Sequence, residues 1–97
     1  MSKFLFSRKA VNDLDEIWDY TVKIWSEKQA ETYYLLLIES CNELAKNPAK
    51  GKNYDIVEKD ILGCKTGQHI IFYRKISENE IEIIRILHGM MDLKSKF

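Results

Sequence analysis

From Gly67 to Gly89 the chain reads as two strands that are apolar on both faces, and this limits the possible folds more than any other feature. Along the first, Ile70, Phe72 and Ile76 alternate with Ile71 and Tyr73; along the second, Ile81, Ile83 and Leu87 alternate with Ile84 and Ile86. A sheet with one wet face is apolar only at every second position, whereas strands covered on both sides carry near-continuous apolar runs. Two covers are therefore required. The rest of the chain holds enough helix for one, so the second is expected from the tail after Gly89 or, for the most part, from a partner.

The first cover is a helical hairpin. Lys3 to Phe6 reads as a short strand, and Ser7 is placed to cap a helix in which Val11, Leu14, Ile17/Trp18, Thr21 and Ile24/Trp25 recur at steps of three and four. Ser26 with Gln29 matches a capping box, opening a second helix with Ala30, Tyr34, Leu37, Cys41 and Leu44 on its apolar side and Asn47-Pro48 at its end. So short a connection makes the two helices antiparallel. Ala49 to Asp60 is polar and aperiodic, a loop with one helical turn. Ile61 to Lys65, Gln68 to Ile76 and Glu80 to Leu87 then form a meander, with the first strand along one edge. The expected fold class is α+β, an N-terminal short strand and two-helix hairpin packed on a small antiparallel sheet. It is one domain over 1–97, with the hairpin at 8–47, the sheet at 61–87 and a C-terminal tail at 88–97.

At 97 residues there is room for one core and no separate catalytic module, so function must sit on the fold's own surface. Formal net charge is zero, which gives no global attraction to nucleic acid or membrane. Cys41 and Cys64 lack metal-ligand spacing and are too few for a disulfide framework, so buried free thiols are expected. No metal cluster, phosphate-binding glycine loop or cofactor motif is present in the sequence. With no long apolar run at the start or elsewhere, the expected location is cytoplasmic, off the membrane.

His69 and His88 stand at strand ends, near Lys65, Tyr73, Arg74 and Arg85. An RNA-cleaving site needs such groups to converge: His or Lys to take the 2′-hydroxyl proton, Arg to stabilise the phosphate. Simple alternation splits them instead, since it puts His69 and Tyr73 opposite Arg74 and puts Arg85 opposite His88. Strand-end residues with solvated or paired tips are therefore favoured. Lys46, Lys50 and Lys52 read as a solvated face complementing a helix C-terminus. Trp18, Trp25, Tyr20, Tyr33 and Tyr34 read mainly as core, and Asp13, Asp15 and Glu16 as solvent-facing charges beside the apolar stripe.

Taken in order, these residues resemble the ParE group of the RelE/ParE toxin superfamily, from bacterial type II toxin–antitoxin pairs. Ser7, Ala10, Asp13-Leu14, Ile17-Trp18, Tyr20, Trp25, Ala30, Tyr34, Leu44, Pro48 and Gly51 are similar to the family's hairpin and following turn. Ile71-Phe72-Tyr73-Arg74, then Ile81, Ile83, Arg85, Leu87-His88-Gly89 and Asp92, are similar to its closing strands and tail. The resemblance implies a toxin that inhibits DNA gyrase, as in plasmid stabilisation systems, and that is neutralised by a ParD-like antitoxin. Operator DNA would be reached only through that antitoxin. No cofactor is implied, and the activity is that of a protein inhibitor rather than an enzyme. The expected target-binding residues are Lys65, Arg74, Arg85, His88, Lys94 and Lys96, and the expected antitoxin-binding residues Ile71, Tyr73, Ile84 and Ile86. The sequence departs from the family at Met90, where Arg is common, and in Leu62-Gly63-Cys64-Lys65, where a further Arg is common. Two alternatives stay open. One is a RelE-type, ribosome-dependent endoribonuclease using His69, His88, Lys65 and Arg85; the other is a non-toxic co-repressor that still binds antitoxin.

Overall fold

The computed structural model describes residues 2–89 together with Leu93 and Phe97. Strand β1 (Lys3–Phe6) leads into helices α1 (Arg8–Ile24) and α2 (Glu27–Lys46), followed by a 3-10 turn (Pro48–Lys50) and the strands β2 (Lys52–Asn53), β3 (Leu62–Thr66), β4 (His69–Ser77) and β5 (Glu80–His88). Both expected caps are made: Ser7 Oγ accepts from the Ala10 N–H at 3.0 Å and Ser26 Oγ from the Gln29 N–H at 3.0 Å. Each satisfies a donor that the helix itself leaves without a partner.

The sheet order is β1-β5-β4-β3-β2. The meander β3-β4-β5 is antiparallel, and β1 lies on the edge as expected but runs parallel to β5, from Lys3 opposite Glu80 to Phe6 opposite Ile83. The sheet is therefore mixed. The α1–α2 hairpin is the connection that carries the chain across one sheet face, and it covers that face. Under it lie Leu14, Leu37, Cys41, Leu44, Ile71, Tyr73, Ile81, Ile83 and Ile86, all buried.

On the second face the tail contributes as expected, but the rest of the cover does not come from a partner. Ile70, Phe72 and Leu87 are buried there, and their cover comes from this chain: Ile61 and Tyr54 of the segment before β3, with Leu93 and Phe97 of the tail. The rings of Tyr54 and Phe97 both stand edge-on to Phe72, at 5.2 and 5.1 Å between centroids. A partner is not needed to bury this face. The stretch 49–60 carries no periodic signal of a cover, since it contributes the single anchor Tyr54, with Ile61 directly after it.

A second departure sits in β5. Phe72 pairs with Arg85 but Tyr73 pairs with Ile83, so Ile84 is an extra residue. Such a bulge advances the alternation by one position, and the side chains beyond it change face. Ile86 accordingly joins Ile81 and Ile83 under the helices, while Leu87 faces the tail.

Candidate functional site

β1 ends opposite Ile83, so the outer edge of β5 loses its strand partner at the bulge, and α1 takes over. The Ser7 hydroxyl donates to the Ile84 carbonyl at 2.7 Å, which hooks the start of α1 to the bulge. Two turns later Asp13 faces the same edge. Its Oδ2 accepts from the Ile86 N–H at 2.9 Å and from Arg85 Nε at 2.8 Å, and its Oδ1 accepts from Arg85 Nη2 at 2.8 Å. One carboxylate thus replaces a missing ladder bond and grips the guanidinium in a bidentate fork. Asp13 is 7% exposed, not the solvent-facing charge read from the helical pattern. Its hydrogen bond raises the Arg85 pKa above the ordinary arginine value.

Beyond the bulge His88 stands directly across from His69 on β4, with ring centroids 5.4 Å apart. On the other side of His69, Nδ1 is hydrogen-bonded to the Tyr33 hydroxyl of α2 at 2.6 Å, and the same hydroxyl oxygen accepts from the Gln68 N–H at 3.0 Å. Gly67, at φ 58, opens the two-residue turn beneath that phenol, where a Cβ would come within 2.7 Å of the ring. The turn requires glycine for its left-handed backbone and for the closeness of Tyr33.

These groups line a groove of about 1130 Å³ between the end of β5, α1 and the start of α2, with Glu16, Ile17, Tyr20 and Trp25 on its helical side. Trp25 and Tyr20 are 71% and 63% exposed. They are not core residues. Of the aromatic set read as core, Trp18 is half-buried, edge-on to Tyr34 at 6.1 Å, and Tyr33 packs against the core.

The Asp13 fork, by drawing Arg85 toward α1, also regroups the candidate residues. Alternation separates Arg85 from His88, but both line the groove with His69. Lys65 lies elsewhere, at a smaller hollow of about 340 Å³ beside Glu43 and Lys50. Arg74 is bound to Glu58 at 2.7 Å in the segment before β3. Lys94 and Lys96 fall outside the described residues. Of the residues expected to meet an antitoxin, Ile71, Tyr73 and Ile86 are fully buried beneath the hairpin, and Ile84 lies half-buried on the opposite face. The face expected to be open to a partner is filled by this chain's own helices.

His69 has its pKa lowered to about 4, first by burial and then by His88, against a smaller upward pull from Asp13. Burial pushes the Tyr33 phenol up, so at neutral pH the contact joins a neutral imidazole to an un-ionised phenol. A pH dependence follows. Unfolded histidine titrates near 6.5, so between about 6.5 and 4 the unfolded chain binds a proton that native His69 refuses. Stability is expected to fall across that window as pH drops and to level off below it. The loss should be about 1–2 kcal/mol once the ring's partial exposure is taken into account. Urea unfolding at pH 7, 5.5 and 4.5 reads it, and His69→Gln should flatten that part of the profile. Equal slopes for both proteins would assign the acid lability elsewhere.

Among the described residues no three His, Cys, Asp or Glu side chains could together hold a metal ion, and no helix is long and apolar enough to cross a membrane. The two cysteines are free. Cys41 is buried, with its thiol pushed up to about 12 by burial, and Cys64 is half-buried rather than buried.

A two-helix hairpin over a five-stranded mixed sheet, with a groove at the bulged strand, defines a small α+β domain. The sequence matches the family model for the ParE toxin of type II toxin-antitoxin system, parDE, over residues 4–93, and the chain belongs to that family. Toxin ParE1 of Mycobacterium tuberculosis (strain CDC 1551 / Oshkosh) is 36% identical over 92 residues, covering 95% of this chain and 94% of that protein. Toxin ParE1 of Caulobacter vibrioides is 33% identical over 95 residues, covering 98% and 97%. A chain from the chromosomal ParDE TA system of P. aeruginosa has the same fold, with a TM-score of 0.76 at 22% identity over 91% of this chain and 96% of that one.

Proposed function

We propose that this ParE toxin is a protein inhibitor of DNA gyrase, neutralised in the cytoplasm by a ParD-like antitoxin with a segment that lies in the groove between the hairpin and β5. The observation that carries the inhibitor reading is that the groove's converging polar groups are bonded to one another. Asp13 holds Arg85 at 2.8 Å and Tyr33 holds His69 at 2.6 Å. A phosphoryl-transfer site needs an acid, a base and a cation aimed at the substrate. Here Lys65 lies at a separate hollow and Nδ1 of His69 is engaged by a phenol. Such a surface supports recognition of a macromolecule rather than bond cleavage.

One observation favours a second reading. His69, His88 and Arg85, which alternation divides between two faces, share one groove. If binding of the ribosome released Arg85 from Asp13, the same groups would suit a RelE-type endoribonuclease.

A gyrase supercoiling and cleavage assay with the purified chain separates the two readings. Cleaved DNA trapped by the toxin, and lost again when the neighbouring-gene antitoxin is added, is the expected result. Unchanged gyrase, together with new 5′ ends in translated messages after expression, would replace it with the endoribonuclease. Unchanged growth despite antitoxin binding would leave a co-repressor.

A further inference from the structure

We propose that the groove selects a basic residue: the antitoxin segment that enters it is amphipathic, with apolar side chains on Ile17, Tyr20 and Trp25 and an arginine or lysine set against Glu16. This rests on the reading above that the antitoxin occupies the groove. A volume of about 1130 Å³ exceeds the range of about 300–1,000 Å³ usual for small-molecule pockets, and suits several side chains of a peptide. Exposed Trp25 and Tyr20 at its mouth are residue types that dominate binding energy when a partner covers them.

The charge balance supplies the rest. Asp13 and Glu16 lie one helical turn apart and share a single guanidinium, that of Arg85, which is drawn to both. Asp13 is saturated by Arg85 and the Ile86 N–H, and it is buried. Glu16 is exposed and takes only the remainder of the attraction. Among the described residues that line the groove, two carboxylates against one guanidinium leave one negative charge, and His69 is neutral. An apolar peptide laid over this site would strip water from Glu16 and return nothing, a cost that disfavours purely hydrophobic occupants. A cation at that point restores the balance, and the faces of Trp25 and Tyr20 favour it further.

The test uses the full-length antitoxin encoded beside the toxin gene as probe, with affinity measured by calorimetry at low and high salt. Glu16 is exposed, so its variants should fold as the parent does. Glu16→Gln is expected to weaken binding about threefold to tenfold and to reduce its salt dependence. Glu16→Lys should weaken it by about thirtyfold or more, and an arginine- or lysine-to-glutamate change in the antitoxin should recover most of that loss. Trp25→Ala reports on the groove independently. If Trp25→Ala weakens binding and Glu16→Lys does not, the groove is the antitoxin site and the basic anchor is wrong. If neither weakens it, the antitoxin binds elsewhere and both readings fall.

Discussion

Replacing Asp13 by Ala should remove about 3–5 kcal/mol of stability, because it takes from the buried Arg85 guanidinium the carboxylate that binds it in a bidentate fork. The Arg85 side chain is 14% exposed and that of Asp13 8%, so water cannot take the carboxylate's place at full strength. The Ile86 N–H loses its acceptor in the same step, and among the described residues no strand lies beyond β5 at that height to supply another. Against a total of about 5–15 kcal/mol for a domain of this kind, much of the population would be unfolded at 37 °C. Guanidinium chloride unfolding and the Tm read the loss. Its dependence on salt should be weak, since a buried pair is little screened. Joint replacement by Asp13→Leu and Arg85→Met should recover most of the ionic part while the unpaired Ile86 N–H still costs about 1–3 kcal/mol. A loss under 1 kcal/mol for Asp13→Ala would mean that the pair behaves as a surface salt bridge, and that the bulge is held by Ser7 alone.

The pair also marks where reading the sequence succeeds and where it stops. Both helices, their serine caps, the meander and the edge position of β1 were legible because each rests on a local signal: a hydroxyl before an apolar stripe, a period, a turn. The resemblance of ordered residues to ParE toxins was legible for the same reason, being spread over the whole chain. The bulge at Ile84 left no such signal. Ile83-Ile84-Arg85-Ile86 reads as a regular strand, and the extra residue shows only in the register against Phe72 and Tyr73. The shared face of Ile84 and Ile86 failed there, because the extra residue carries Ile86 to the helical side with Ile81 and Ile83. Arg85 and His88 both follow the bulge and keep opposite parity, but Arg85 is drawn to Asp13 of α1 and so lines the same groove as His88. Ile71 and Tyr73 do not wait for a partner because the hairpin covers their face. Asp13 failed for a related reason. It sits in the buried stripe of α1 beside Ala10 and Leu14, where a helical pattern marks an acid as misplaced unless its cation, 72 residues away, is known. Trp25 erred in the opposite direction: it follows the last residue of α1, where the apolar stripe runs past the sheet, and it is exposed together with Ile24 and Tyr20.

Gly51→Ala is the second large effect, expected at about 2–3 kcal/mol, and it arises from the end of α2 rather than from the groove. Gly51 follows the 3-10 turn with φ −73 and ψ 161, a conformation alanine adopts freely, so backbone strain contributes nothing. The cost is contact. A Cβ there would lie 2.2 Å from the Tyr73 hydroxyl and 2.8 Å from two ring carbons. Tyr73 has nowhere to retreat: it is fully buried, its hydroxyl donates to the Pro48 carbonyl at 2.6 Å, and it accepts from the Gly51 N–H at 2.9 Å. Either the turn lifts away and both hydrogen bonds break, or the ring tilts into the helical core. Tyr73→Phe separates these. Alone it should cost about 1–2 kcal/mol by orphaning the two backbone groups. In that background Gly51→Ala loses the closest contact but keeps those with the ring carbons, so its cost should shrink by about 1 kcal/mol, a coupling that a double-mutant cycle measures. Equal cost in both backgrounds would place the clash on the ring rather than on the hydroxyl, and would make tilting of Tyr73, not lifting of the turn, the way the chain relieves it.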